Sequence, residues 1–281
     1  MRIANVDGRL TIAVTADRGI DVERASSGRF AADPAAVFDR WDEFSDWASG
    51  LESVTPEVEL RPERIGAPSP APRQIFAVGL NYRAHAAESG FSVPDSPVVF
   101  TKYQSALTGP QTTVRLPAGG HTDWETELVA VVGRRASEVK KDDAWDHIAG
   151  LTIGQDLSER ITQRSGPAPQ FGLGKSFPGF APTGPWIVTP EEFADRDDIA
   201  LGCSINGTEM QNGRTSSFIF GIPELVSYLS SIVTLLPGDL IFTGTPEGVG
   251  MGRDPQLWLR PGDELVTWIE GIGELRQTFV D

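Results

Sequence analysis

The chain has 281 residues, enough to bury a large core, and its apolar fraction of 40% and charged fraction of 22% are typical of globular proteins. Its formal net charge of −15 argues against a nucleic-acid partner, because such binding needs lysine and arginine side chains on phosphates. The single cysteine, Cys203, excludes an internal disulfide. No apolar stretch is long enough to be the core of a signal peptide or a membrane span. We therefore expect a cytoplasmic protein without a membrane partner.

The N-terminal part, residues 1–70, is expected to form a small domain and a linker. An Asp-Gly pair at residues 7 and 8 lies between strand-like runs and predicts a hairpin. The segment DPAAVFDRWDEFSDWASG predicts a helix, with Asp33 as N-cap, proline at the first helical position and Gly50 after the last turn. Three prolines and a glycine in the following ERIGAPSPAPRQ indicate the linker, so residues 71–281 are assigned to a second domain.

This second domain is predicted to be rich in short strands. The segment YRAHAAES predicts a helical turn after the first strand, and an amphipathic helix is predicted from about Pro223 to about Val233. Strands rarely alternate with long helices, which disfavours a doubly wound sheet and favours an α+β, β-rich fold built as a mixed β roll or barrel-like sandwich. The predicted strand segments are IFAVGLN, TELVAVVGR, AGLTIGQD, IALGCSING, GDLIFTGTP, DELVTWIE and ELRQTFVD.

Carboxylates occupy unusual places in two of these strands. Asp123, Glu125 and Glu127 alternate at the start of DWETELVAVVG, so they share one strand face, and Asp156 ends the apolar run AGLTIGQD. Close like charges repel, so the strand either exposes this face to solvent at a sheet edge or offers ligands to a hard cation. Carboxylates without histidine or cysteine ligands select Mg²⁺, Mn²⁺ or Ca²⁺ rather than zinc.

Histidines are few, and one has a carboxylate at helical spacing. His85 lies three residues before Glu88 in NYRAHAAE, so on a helix the carboxylate can orient and polarise the imidazole. The same pair also occurs on ordinary helices, which leaves a structural role open. His121 and His147 are interpreted as a loop residue and a surface or packing residue.

The sequence contains six motifs in this order: VGLNYRAHAAE, DWETELVAVVG, IGQDLSERITQ, GKSFPGFAPTGPWIVT, INGTEMQNG and PGDLIFTGTPEGVG. In their order and spacing they resemble those of the fumarylacetoacetate hydrolase family, and the resemblance extends from about residue 75 to 281. The N-terminal part resembles the variable small domain that precedes the catalytic domain in many bacterial members. The resemblance implies a mixed β-sandwich roll, a homodimer and one divalent cation, usually Mg²⁺ or Mn²⁺, with Ca²⁺ also compatible.

The resemblance also implies roles for ten residues of this sequence. It further implies that residues 82–96 form a mobile lid over the site. The implied metal ligands are Glu125, Glu127 and Asp156, the implied catalytic residues are His85, Glu88 and Lys175, and the implied substrate-binding residues are Arg160, Gln163, Gly244 and Thr245.

The implied reaction is hydrolysis of a carbon–carbon bond in an acylpyruvate or related 2,4-dioxo acid, such as fumarylpyruvate, to pyruvate and a carboxylic acid. A 2-oxo acid can chelate one hard cation, Lys175 and Arg160 can balance its remaining charge, and His85 can activate water. A 2-oxo acid (oxaloacetate) decarboxylase and a hydratase or isomerase of aromatic catabolism stay open, because decarboxylation leads to the same enolate. A non-catalytic binding protein is a remote alternative, since His85 and the acids are all present.

Overall fold

The computed structural model describes residues 1–51 and 55–281, and most of its strands belong to two sheets. The strands are β1 (Arg2–Val6), β2 (Arg9–Ala13), β3 (Arg18–Asp21), β4 (Val58–Glu59), β5 (Ile65–Gly66), β6 (Ile75–Gly79), β7 (Val98–Thr101), β8 (Leu107–Thr108), β9 (Gln111–Arg115), β10 (Thr122–Asp123), β11 (Thr126–Val132), β12 (Ile148–Gln155), β13 (Ser158–Glu159), β14 (Ala181–Val188), β15 (Ala200–Ile205), β16 (Thr208–Arg214), β17 (Leu240–Phe242), β18 (Glu264–Ile269) and β19 (Gly273–Val280).

The helices are short. The α-helices are α1 (Val22–Ala25), α2 (Trp41–Ser49), α3 (Arg83–Glu88), α4 (Arg160–Gln163), α5 (Phe171–Gly174) and α6 (Ile222–Ser230). Segments of 3₁₀ helix span Ala36–Arg40, Pro62–Arg64, Gln104–Ala106, Lys141–His147, Pro190–Glu192, Thr215–Ser217 and Gly250–Gly252. No helix within the described ranges is both long and apolar enough to cross a membrane.

The larger sheet has twelve strands in the order β4-β3-β2-β1-β14-β12-β11-β17-β6-β7, with β5 beside β1 and β8 beside β14. The smaller sheet has five, in the order β16-β15-β18-β19-β9. Parallel and antiparallel pairs occur in both sheets, for example β17 parallel to β6 and antiparallel to β11. The predicted β-rich α+β fold is confirmed.

Strand β11 lies in the middle of the larger sheet, between β12 and β17. Val129 and Val131 pack in one core cluster, whereas Leu128 and Ala130 pack in the other, together with the buried face of α6. A strand buried on both faces needs a continuous apolar run, which explains the sequence that follows the acids. The alternative of a solvent-exposed edge strand is therefore wrong.

The N-terminal strands extend the larger sheet. The predicted hairpin is confirmed: β1 pairs with β2, and the turn residues Asp7 and Gly8 have φ angles of 51° and 77°. Strand β1 also pairs with β14, with Ala4 opposite Trp186, so the first strands share a sheet with the rest of the chain. The domain boundary near residue 70 stays a prediction.

Two predicted helices are present with different bounds. The start at Asp33 is wrong: Asp33 instead accepts the Ala35 N–H at 2.9 Å, and a 3₁₀ turn precedes α2. Gly50 follows α2, as predicted. The predicted end at Val233 is also wrong, because α6 ends at Ser230.

Candidate active site

Three buried carboxylates meet where β11 begins and β12 ends. The two strands are antiparallel, with Thr126 opposite Gln155, so the residues just before β11 and just after β12 are neighbours. The Asp156 N–H donates to the Glu125 carbonyl at 2.9 Å and fixes this junction. One carboxylate oxygen each from Glu125, Glu127 and Asp156 lies within 4.8 Å of the others. The three predicted ligands are therefore brought together.

Asp123 begins the same acidic motif but has different partners. Its carboxylate accepts the N–H groups of Gly250 at 2.6 Å and Met251 at 2.9 Å. It also pairs with Arg160 at 2.7 Å while fully buried. Asp123 thus holds the Gly250 turn and the arginine in place beside the three acids.

Within the described residues, Lys175 and Arg160 are two of the three buried cations that contact the acid cluster. Lys175 Nζ donates to Glu125 Oε2 at 2.7 Å and Asp156 Oδ2 at 2.8 Å, and Arg160 Nη1 lies 2.7 Å from Glu125 Oε1. Burial alone would raise the pKa of Glu125, but Lys175 and Arg160 outweigh it and lower that pKa to about 2. Burial also opposes the charge of Lys175, yet Asp156 and Glu125 raise the pKa of this lysine.

Among the three clustered carboxylates, Glu127 has its negative charge least balanced by neighbouring positive charges. Burial, followed by the charges of Asp156 and Glu125, raises the pKa of Glu127 well above its usual range. Its Oε2 accepts the Gly244 N–H at 2.7 Å. A divalent cation would stabilise the ionised Glu127 carboxylate. Hard cations prefer oxygen donors, and the three clustered carboxylates offer only oxygen. The residues present therefore fit Mg²⁺, Mn²⁺ or Ca²⁺.

Gly244 places its amide on Glu127 through a conformation that favours glycine. Its φ is +97°, and an added Cβ would lie 2.7 Å from the Asn81 Cβ and 3.0 Å from the Val78 carbonyl oxygen. The Gly244 amide therefore orients an implied metal ligand. Its predicted contact with substrate stays a prediction.

Lys102, at the end of β7, was missed by the sequence analysis. It is 1% exposed, and its Nζ donates to Asp156 Oδ1 at 2.5 Å and to the Lys175 carbonyl. The only sequence signal is a lysine directly after the strand VVFT, a place where lysine is usually solvated. Because Lys175 binds the other oxygen of Asp156, this carboxylate is held from both sides.

The His85–Glu88 pair forms as the spacing predicts. On α3, His85 Nδ1 lies 2.8 Å from Glu88 Oε1, and Glu88 Oε2 accepts the Gly248 N–H at 2.9 Å. The glutamate is therefore fixed by a second chain segment and fixes the imidazole in turn. His85 is 6% exposed and lines the main cavity.

This cavity has a volume of about 620 Å³ and is lined by six of the ten predicted site residues. Gln163 Oε1 accepts from Arg160 Nη1 at 2.9 Å, and Thr245 Oγ1 accepts from Gln211 Nε2 at 2.8 Å. The predicted residues that line the cavity are His85, Glu125, Arg160, Gln163, Lys175 and Thr245, and those behind its wall are Glu88, Glu127, Asp156 and Gly244.

The fold and the site define a β-rich protein with three clustered buried carboxylates, of which Glu125 lines a cavity together with His85 of a histidine–glutamate pair. The chain belongs to the fumarylacetoacetate hydrolase family, since the family model described as "Fumarylacetoacetate (FAA) hydrolase C-terminal" matches residues 74–280. The 2,4-didehydro-3-deoxy-L-rhamnonate hydrolase of Sphingomonas sp. (strain SKA58) is 43% identical over 79% of this chain and 78% of its own length. Oxaloacetate tautomerase FAHD2A, mitochondrial, of Bos taurus is 41% identical over 74% and 66%.

Solved structures agree with this assignment over the whole chain. A putative HpcE protein from Mycobacterium smegmatis has a TM-score of 0.95 and 53% identity, covering 100% of this chain and 99% of that one. Maleylpyruvate hydrolase from Sphingobium sp. SYK-6, in complex with manganese (II) ion and pyruvate, has a TM-score of 0.79 and 26% identity, covering 100% and 99%. The names of these relatives include both hydrolases and a tautomerase.

Proposed function

We propose that this protein is a metal-dependent hydrolase that cleaves a carbon–carbon bond of an acylpyruvate or related 2,4-dioxo acid to pyruvate and a carboxylic acid. The observation that carries the proposal is the ordered His85–Glu88 pair in the same cavity as Glu125 and Lys175. Carbon–carbon hydrolysis needs a base for water beside an electrophilic site; in this proposal His85 is the base, and the site formed by Glu125 and Lys175 is the electrophilic one. The names of the rhamnonate-derivative hydrolase and the maleylpyruvate hydrolase support it.

In this proposal Glu125, Glu127 and Asp156 hold one divalent cation, Mg²⁺ or Mn²⁺, with Ca²⁺ as a further candidate. When bound, such a cation supplies Lewis acidity to the oxygens of a 2-oxo acid. The oxygen-only donor set supports this assignment, as does the manganese named for the maleylpyruvate hydrolase structure.

The histidine–glutamate pair would activate the attacking water. In this role His85 Nδ1 would carry a proton and donate a hydrogen bond to Glu88 Oε1, which leaves Nε2 free to take a proton from water. The water oxygen then bonds to the distal keto carbon, the bond between that carbon and the pyruvate methylene breaks, and its electron pair goes to the methylene carbon. The protonated His85 is positioned to return a proton, which completes pyruvate.

The remaining predicted residues would bind and orient the substrate. Lys175 and Arg160 bring positive charge to the inner end of the cavity, where the 2-oxo acid would lie. Gln163 and the Thr245 hydroxyl present polar groups to the same space. We propose a homodimer as the assembly and a small 2-oxo or 2,4-dioxo acid as the partner.

The second candidate is a tautomerase or decarboxylase of a 2-oxo acid such as oxaloacetate, or a hydratase or isomerase. The observation that favours it is the 41% identity to an oxaloacetate tautomerase. The same His85 could move a proton without activating water, because proton transfer needs only a positioned base. The proposed hydrolase therefore differs from a tautomerase, a decarboxylase or an isomerase in that water enters the product, and from a hydratase in that a carbon–carbon bond is cleaved.

A substrate panel tests the proposal. Purified protein with Mg²⁺ or Mn²⁺ is given acetylpyruvate, fumarylpyruvate and oxaloacetate, and ultraviolet loss of each substrate is followed together with pyruvate and carbon dioxide. Hydrolysis predicts equal amounts of pyruvate and carboxylic acid from an acylpyruvate. Turnover of oxaloacetate alone would contradict the proposal and favour the second candidate.

A further inference from the structure

Gln211 is a buried glutamine on β16 whose four hydrogen-bonding positions are all used. Its Oε1 accepts the Thr126 N–H at 2.9 Å and the Cys203 thiol at 3.4 Å. Its Nε2 donates to Thr245 Oγ1 at 2.8 Å and to the Pro246 carbonyl at 2.9 Å. A primary amide has two acceptor sites and two donor hydrogens, so this side chain has no position left for a further partner.

The orientation of the Gln211 amide is fixed by its two backbone partners. The Thr126 N–H can only donate and the Pro246 carbonyl can only accept, so turning the amide over would lose both hydrogen bonds. Such a loss is costly in a buried place, because the backbone groups would be left unpaired. The NH₂ group of Gln211 therefore faces Thr245, and the Thr245 oxygen is the acceptor in this contact.

The Thr245 hydroxyl keeps its own hydrogen for another partner. A threonine hydroxyl has one donor hydrogen and two lone pairs, and Gln211 occupies one of the lone pairs. Thr245 lines the main cavity, and its hydroxyl donates to no residue in the ranges 1–51 and 55–281. The hydrogen is therefore available to an acceptor inside the cavity.

Close packing keeps β16 on the chain segment that carries Thr245. A Cβ on Gly213 would lie 2.7 Å from the Pro246 Cβ, and a Cβ on Gly248 would clash with the Met210 carbonyl oxygen. Glycine at these two positions allows the strand and the segment to approach each other. The contact between Gln211 and Thr245 is thus set by backbone packing.

We infer that Gln211 is a positioning residue for substrate binding, because it makes the Thr245 hydroxyl a hydrogen-bond donor toward an acceptor oxygen of the substrate. The inference rests on the proposed function, which places a 2-oxo acid in this cavity. The ionised carboxylate and the keto group of such an acid accept hydrogen bonds and cannot donate them, so a hydroxyl that must donate is matched to either group. Gln211 itself does not line the cavity and acts only through Thr245.

A double-mutant cycle with pyruvate as the probe tests the inference. Calorimetry measures the Kd of pyruvate for the Mn²⁺-loaded wild type, for Gln211→Glu, for Thr245→Val and for the double variant. The glutamate has an acceptor where the glutamine has a donor, so the Thr245 hydroxyl would donate to it and present a lone pair to pyruvate. We expect Gln211→Glu to weaken pyruvate binding about 10-fold more with the Thr245 hydroxyl present than in the Thr245→Val background.

Gln211→Met repeats the cycle without adding a carboxyl group. It removes the donor and leaves the Thr245 hydroxyl free to occupy three staggered positions, so we expect a coupling of about 3-fold in the same direction. Comparing each variant in the two Thr245 backgrounds separates positioning from a general loss of stability, because a loss of stability would weaken binding equally in both. Coupling with either variant supports the inference.

Gln277→Glu is the matched control. Gln277 is also buried and also donates to a proline carbonyl, that of Pro110 at 2.9 Å, but it does not line the cavity. It should leave the Kd of pyruvate unchanged. Equal losses in both Thr245 backgrounds with both Gln211 variants overturn the inference and leave Gln211 a purely structural residue. A wild-type protein that does not bind pyruvate overturns the proposed function itself, and the inference with it.

Discussion

Replacing Lys102 with methionine probes how the acid cluster is held together. Lys102 Nζ donates to Asp156 Oδ1 at 2.5 Å and to the Lys175 carbonyl, so it links the end of β7 to two residues of the site. Burial lowers the pKa of Lys102, while Asp156 acts in the opposite direction. Methionine keeps much of the side-chain volume and removes the charge and the donors. The variant therefore leaves a fully buried carboxylate oxygen without its cation.

The loss of stability expected for Lys102→Met follows from the burial of both Lys102 and Asp156. Removing one member of a buried ion pair costs about 3–5 kcal/mol, and Lys175, which stays 2.8 Å from the other Asp156 oxygen, favours the lower end. The lost hydrogen bond to the Lys175 carbonyl adds about 1 kcal/mol. We expect Lys102→Met to lower the free energy of unfolding by about 4 kcal/mol and the Tm by about 10 °C.

Urea unfolding in the presence of a chelator, followed by tryptophan fluorescence, measures this change without any contribution from bound metal. Lys141→Met is the matched control, since the Lys141–Glu224 pair is largely exposed and should contribute far less. The double variant Lys102→Met with Asp156→Asn should recover part of the loss, because it removes the uncompensated charge. A loss of less than about 1 kcal/mol in Lys102→Met would refute the reasoning.

Three further predictions concern the metal, the thiol and the lid. Glu127→Gln should abolish stoichiometric binding of Mn²⁺ measured by elemental analysis, and retention of one ion per chain would remove Glu127 from the ligand set. Burial raises the pKa of the Cys203 thiol to about 12. The thiol of the folded protein should therefore resist a disulfide reagent at pH 8 and react only on unfolding. Rapid labelling of the native protein would contradict this prediction. Residues 82–96 should exchange amide hydrogens more slowly with metal and oxalate bound, whereas equal exchange with and without oxalate would count against a lid.

Part of the site could be predicted because its residues follow local rules. Alternation in a strand puts Glu125 and Glu127 on one face, and helical spacing puts His85 beside Glu88; both arrangements depend on neighbours in sequence. Lys102 could not be predicted in this way, because its partner Asp156 is 54 positions away and lysine is rarely buried.

The sheet order has the same physical limit. Local patterns predicted nine of the nineteen described strands and missed the long strand β14. The pairing of β1 with β14 joins residues about 180 positions apart, and no local pattern specifies it. The helix before Gly50 shows a different limit, because here a local signal was present but misplaced the start of the helix. Asp33 has the side chain of an N-cap but stabilises a turn instead, and a 3₁₀ segment intervenes before α2.

The central claim is that His85 delivers water to a carbon–carbon bond, and isotope incorporation tests it most directly. The metal-loaded protein is incubated with an acylpyruvate in ¹⁸O-labelled water, and the carboxylic acid product is analysed by mass spectrometry. We expect one ¹⁸O atom in that acid, equal amounts of pyruvate, and a rate about 10²- to 10⁴-fold lower in His85→Ala with metal still bound. Acid product without ¹⁸O, or a His85→Ala variant that hydrolyses at the wild-type rate, would contradict the claim.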